Sequence, residues 1–245
     1  MHHKAERVRH MRDHVLFVPG MMCDHRLFEP QILSLSHEYT TDVAKICNAE
    51  TIAQMAGDIL AQAPDVFALV GLSMGGIVAM EMLRRAPQRI SRIALLDTNP
   101  LAETQAVSDA REPQIARVRA GGLKDVMQQE MKPNYLAPGR RRHAILSLVQ
   151  DMALALGPQV FIRQSKALQQ RRDQQSVLRD CQVPALVMCG AHDRLCSVSR
   201  HRLMADLLPN SELKVIADAG HLPSLETPQE TSQALIRWLH QYEEF

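Results

Sequence analysis

The segment Leu69-Val70-Gly71-Leu72-Ser73-Met74-Gly75-Gly76 holds a serine between two glycines, in the spacing G-x-S-x-G. An apolar run precedes it, and apolar residues at helical spacing follow. A serine at such a junction sits on a sharp strand-to-helix turn that exposes its hydroxyl. The positions two before and two after must be small, because side chains there would collide with the turn; Gly71 and Gly75 meet that need. A serine hydroxyl is a weak nucleophile at neutral pH, so it requires a base, and the base requires an acid to orient it. In a strand-turn-helix arrangement of this kind the chain order is serine, acid, histidine. Asp193, in Cys189-Gly190-Ala191-His192-Asp193, supplies the acid, and His221, in Asp218-Ala219-Gly220-His221-Leu222-Pro223, the base. Developing negative charge needs two backbone donors: the amide of Met74, and one from Pro19-Gly20-Met21-Met22, with Met21 preferred and Met22 the alternative. Asp97, which also ends an apolar run, is a rival acid, and its structural alternative is to hydrogen-bond the loop that follows. His192 is read as a neighbour of the acid. His25, His37, His143, His201 and His240 are read as surface groups.

These residues need a scaffold that gathers them at one edge. Six short apolar runs read as strands: residues 14–20, 40–46, 66–71, 92–97, 184–190 and 212–218. Helical patterns fall between them, at about 24–37, 51–63 and 74–86, with a closing helix over 227–242. Continuous apolar strands alternating with helices predict an α/β fold: a mostly parallel twisted sheet of about six strands, covered on both faces. Ser73, Asp193 and His221 then all follow carboxyl ends of strands. Residues 99–180 break the alternation, showing helical patterning only. The division expected is a core of 1–98 and 181–245 with a helical cap insertion at 99–180. That insertion is basic, with an excess of about five positive charges. It reads as a solvated surface or, more sharply, as a rim attracting anionic substrates.

At 245 residues, 46% hydrophobic and 22% charged, the chain can bury a substantial core. A net charge of +1 produces no global field directed at nucleic acid or membrane. The apolar stretch after the basic first residues runs only from His14 to Val18, too short for a signal or a span. Cys23, Cys47, Cys181, Cys189 and Cys196 are scattered and odd in number, which favours a reducing, cytoplasmic compartment over a disulfide framework or zinc site.

Together these segments resemble the α/β-hydrolase fold superfamily, in particular its small capped carboxylesterase-like members. The likeness rests on Leu16-Phe17-Val18-Pro19-Gly20 with Phe28 and Gln31, on Gly71 to Gly76, on Gly190 to Asp193, and on Ala219 to Pro223 with Glu226 and Pro228. It spans about residues 14–240. It implies a substrate held between cap and core, with no metal and no organic cofactor. Pro19-Gly20 departs from the His-Gly of many relatives, which leaves the backbone donor but removes a loop histidine. About thirteen residues precede the first strand, too few for the hairpin with which relatives often begin. A sheet edge left open that way could be covered by a second copy of the chain, as a homodimer.

The expected activity is hydrolysis of a small, largely apolar carboxylic ester through Ser73, His221 and Asp193. Carbon–carbon bond hydrolysis, lactone opening, perhydrolysis and acyl transfer use the same residues on this fold. A non-catalytic ligand receptor is the alternative from another class. Nucleic-acid binding through Arg140-Arg141-Arg142 lacks aromatic interleaving and a recognition motif.

Overall fold

A computed structural model describes residues 13–131 and 135–241. The absent-hairpin expectation falls on residues 1–12 and so lies outside the described residues, as does Tyr242 at the end of the expected closing helix.

Among the described residues six strands form one sheet: β1 (His14–Val18), β2 (Thr40–Val43), β3 (Phe67–Leu72), β4 (Ile90–Leu96), β5 (Ala185–Gly190) and β6 (Ser211–Ile216). Their order is β2-β1-β3-β4-β5-β6, and every pair is parallel. Burial explains the sequence of each strand. The central β3 (FALVGL) and β5 (ALVMCG) are buried at every position, because helices cover both faces. The edge strands β2 (TTDV) and β6 (SELKVI) are partly exposed and carry the polar residues.

The connections place the helices. The chain moves one way from β1 to β2, through α1 (Glu29–Leu35), then reverses and continues the other way. Right-handed crossovers put α1 on one face. They put α2 (Ile52–Leu60), α3 (Met74–Arg85) and α9 (Val198–Leu207) on the other. The packing agrees: α2 lies against α3, and the C-terminal α11 (Pro228–His240) lies against α1. Trp238, Leu235 and Leu239 supply the buried stripe of α11. Thr51 caps α2 by accepting from the Gln54 N–H at 3.1 Å. Parallel sheets of this kind open a crevice at the carboxyl ends where the direction reverses, here between β1 and β3.

Between β4 and β5 the described residues hold helices only: α4 (Gln105–Arg119), α5 (Leu123–Val126), α6 (Arg142–Leu156), α7 (Pro158–Gln169) and α8 (Gln175–Arg179), with a π-turn over Met127–Met131. A short α10 (Pro223–Glu226) precedes α11. Among the described residues no single helix is long and apolar enough to cross a membrane; α6 and α7 reach the length only together, across a bend of 97°.

Candidate active site

Among the described residues three non-glycine residues have positive φ: Met22 (56°), Ser73 (55°) and Asp97 (44°). Each lies just beyond the carboxyl end of a strand, β1, β3 or β4. Strained backbone persists only where the surroundings over-determine it, and it clusters at working sites. The Ser73 turn is over-determined by close approach. A Cβ on Gly75 would overlap the Val18 carbonyl oxygen, and one on Gly71 would lie 2.5 Å from the Gly75 oxygen. The glycine spacing therefore seats the serine turn directly on the end of β1. Thr98 fastens it from the other side, its hydroxyl donating to the Ser73 carbonyl at 2.7 Å.

The turn brings Ser73 Oγ to 2.9 Å from His221 Nε2, and His221 Nδ1 lies 2.8 Å from Asp193 Oδ2. An ionised carboxylate only accepts, so Nδ1 carries the ring proton and Nε2 is free to accept from the serine hydroxyl. The second oxygen of Asp193 accepts from the N–H groups of Leu195 (2.8 Å) and Cys196 (3.0 Å). Burial pushes the Asp193 carboxyl upward, but His221 and these two amides draw it below the usual carboxylate range. The sequence-predicted Ser73, Asp193 and His221 thus form one hydrogen-bonded chain.

The rival acid, Asp97, makes a different contact. Its Oδ1 accepts from the Gly190 N–H at 3.0 Å, so it holds the end of β5, whereas the sequence expectation was the loop entering the insertion. Burial, with the neighbouring Asp193 charge, holds its carboxyl well above the ordinary value. Two carboxylates so close cannot both ionise cheaply, and the one hydrogen-bonded to the histidine keeps the charge. His192 is exposed and takes no part in the chain.

The loop after β1 shows which amides are available. The Met22 N–H donates to Gln164 Oε1 at 2.8 Å, and Gln164 Nε2 donates to the Ile46 carbonyl at 3.0 Å. Met22 is thereby removed as a donor to substrate. Among the described residues the Met21 N–H has no protein acceptor. The Met74 N–H is the first of α3, where no intrahelical partner exists.

Sequence reading missed the supporting roles of three residues. Gln164 lies fully buried on α7, in the segment that carried no readable motif; a lone amide on the apolar face Val160, Phe161, Ala167 and Leu168 was the available signal. Glu226 accepts from the N–H groups of Gly220 (3.0 Å), Leu222 (2.9 Å) and Ala137 (2.7 Å), gripping the chain on both sides of His221. His201 was read as a surface group and is fully buried. Its Nε2 accepts from the Thr98 N–H at 3.0 Å, so Nδ1 carries the proton donated to the Ser197 carbonyl. Burial lowers its pKa to about 4, keeping the ring neutral. The helical context of residue 201 hid this, because α9 turns that face onto the loop behind Ser73.

Asp193, Cys196 and His221 offer ligand atoms within 4.8 Å of one another. The donor chemistry does not suit a metal: Asp193 and His221 already bind each other, and burial beside Asp193 holds the Cys196 thiol well above its ordinary value.

A cavity of about 460 Å³ opens over Ser73 and His221. Its core wall includes Met21, Met74 and Ile77, and its outer wall comes from the helical segment, including Val107, Tyr135 and Leu168.

Comparisons with known proteins agree with this architecture. A thermophilic esterase from Thermogutta terrifontis, solved with malate bound, superposes with a TM-score of 0.87 at 27% identity, covering 94% of this chain and 90% of that one. An enol-lactonase from Burkholderia xenovorans superposes at 0.83 with 20% identity, over 94% and 92% of the two chains, a likeness of fold. The pimeloyl-[acyl-carrier protein] methyl ester esterase of Aromatoleum aromaticum is 26% identical over 198 residues, 74% of this chain and 76% of that protein. The model of the alpha/beta hydrolase family matches residues 15–234, from the first strand into the last helix. With the match running through sheet, serine turn and both loops that hold Asp193 and His221, the chain belongs to the alpha/beta hydrolase family.

Proposed function

We propose that the protein hydrolyses a small carboxylic ester, with Ser73 as nucleophile, His221 as general base and acid, and Asp193 as the group that orients and charges against His221. The observation that carries this reading is the continuous path from Ser73 Oγ through His221 to Asp193, with bonds of 2.9 and 2.8 Å. Ser73 Oγ attacks the carbonyl carbon while its proton passes to His221 Nε2. Asp193 offsets the imidazolium charge. The carbonyl oxygen becomes an oxyanion facing the N–H groups of Met74 and Met21. Collapse breaks the carbon–oxygen bond, and the alcohol leaves with the proton from His221. Water then attacks the acyl-enzyme, giving a proton to His221, and Ser73 is released with the acid. We read residues 99–180 as a cap, since its side chains form the outer wall of the cavity. Ester hydrolysis is also the named activity of two of the relatives described above.

Turnover of short-chain p-nitrophenyl esters tests the reading. Ser73→Ala should lose about four to six powers of ten in kcat, and a fluorophosphonate should label wild type at Ser73 and leave the variant unlabelled. Undiminished turnover by Ser73→Ala rules the mechanism out.

A further inference from the structure

The cavity over Ser73 is not uniformly apolar. Four arginines line it, Arg111, Arg171, Arg194 and Arg200, against one acidic residue, Glu103. Glu103 is buried between two of the four. Arg111 donates to its Oε2 at 2.9 and 3.1 Å, and Arg171 lies 3.2 Å from its Oε1. This bridge ties Glu103, near the start of the helical segment, to Arg171, just beyond α7, and so fixes the two guanidinium groups in place. It offsets only one of their two charges. The side chains of Arg194 and Arg200 have no ion-pair or hydrogen-bond partner among the described residues. Arg194 lies next to the acid Asp193, and Arg200 lies on α9.

One further detail points to a missing acceptor. Arg171 Nε is buried with no hydrogen-bond partner, in a side chain only 11% exposed. A buried guanidinium N–H without an acceptor is unfavourable, and an acceptor supplied beside it would offset that cost. Burial disfavours the Arg171 charge most, Glu103 favours it, and Arg111 and Arg200 disfavour it further. Apolar lining comes from both sides, from Met21 and Ile77 of the core and from Val107 and Leu168 of the helical segment. A ligand filling this space therefore meets the Ser73–His221 pair, apolar lining and a cluster of excess positive charge. By contrast, Arg141 and Arg142 outside this cavity are engaged with the backbone carbonyls of Glu226 and Leu136.

We infer that the substrate is an anionic ester, carrying a carboxylate on the limb that occupies this cavity, and that Arg171 and Arg200 receive it. This rests on the ester-hydrolase reading and sharpens its substrate class. Planar guanidinium groups match a carboxylate in shape as well as charge, and partial burial strengthens the contact.

The test compares esters of matched chain length that differ by one carboxylate: monomethyl adipate against methyl hexanoate for the acyl limb, and O-acetylglycolate against ethyl acetate for the alcohol limb. Hydrolysis is followed by pH-stat. For one limb, kcat/KM should favour the anionic ester by about tenfold or more, equivalent to about 1.4 kcal/mol, mostly through KM. That ratio should shrink in Arg200→Gln and Arg171→Gln, and with rising ionic strength. Arg171→Gln tests the buried group; Arg200→Gln, which leaves the Glu103–Arg171 pair intact, keeps the test valid if the first variant folds poorly. Calorimetric titration of Ser73→Ala with the same esters reads binding without turnover. A carboxylate preference in binding supports the inference even if Ser73 proves not to be the nucleophile. Equal or weaker binding of both anionic esters overturns it, while Ser73-dependent turnover of the neutral esters would leave the hydrolase reading standing.

Discussion

Acidification from about pH 7.5 to pH 4 is expected to remove about 3 kcal/mol of folding stability through His201 alone. The ring is neutral in the folded protein because it is buried, accepts from the Thr98 N–H and donates to the Ser197 carbonyl. Its pKa falls from 6.5 to about 4 on folding. Between those values the unfolded chain binds a proton that the folded chain refuses, so stability rises with pH across that window. The contribution is complete above 6.5 and is lost as pH falls toward 4. At about 1.4 kcal/mol per unit, the gap corresponds to roughly 3 kcal/mol. Asp97 acts in the opposite sense. Its carboxyl is raised in the folded state, so the folded chain holds a proton the unfolded chain releases, and acidification toward its ordinary value favours folding. His201→Gln removes the first effect and keeps the second. Urea denaturation of wild type and His201→Gln across this range separates them. The wild-type curve should fall relative to the variant by about 3 kcal/mol between pH 7 and pH 4. Parallel curves would show that His201 is not held neutral by the fold, as would an imidazole NMR titration with its midpoint near 6.5.

The acid assignment is tested by exchanging carboxyls for amides. Asp193→Asn should lose about 10⁴ in kcat, because the amide no longer enforces the required tautomer of His221. Asp97→Asn should keep most activity and gain stability at neutral pH, an advantage that fades toward pH 4; the reverse ranking in a kinetic assay would move the acid to the end of β4. Gly75→Ala should destabilise by about 1–3 kcal/mol or more in chemical denaturation, since its Cβ would overlap the Val18 carbonyl. Wild-type stability in that variant would refute the close approach of serine turn and β1. Gln164→Leu leaves the Met22 N–H and the Ile46 carbonyl without partners. It should lose about 1–3 kcal/mol per stranded group, together with kcat, as the loop after β1 loosens; unchanged kcat with lowered stability would limit Gln164 to a structural role.

The linear chain determined a good deal of this protein. Period and punctuation placed the strands, because central parallel strands must be apolar at every position, as in β3 and β5. Gly71, Ser73 and Gly75 announced the serine turn, because only glycines allow the backbone to approach itself that closely. The order serine, acid, histidine, with each group after a strand end, pointed to Ser73 and His221 and to Asp193 with Asp97 as its rival. Tertiary structure decided what depends on contacts between distant segments. Asp97 and Asp193 both end strands, and only the strand packing that sets Asp97 against Gly190 distinguishes them. Met21 and Met22 are equivalent in sequence, and a glutamine more than a hundred residues away occupies one of them. His201 sits on a helix of mixed polarity, so its burial could not be read from period. The basic excess of residues 99–180 was visible as composition, but which arginines face the cavity and which grip backbone carbonyls was settled by the packing of that segment over the sheet. Sequence records which groups are present along one dimension; hydrogen-bond partners and charge compensation are set by distances that exist only once the chain has folded.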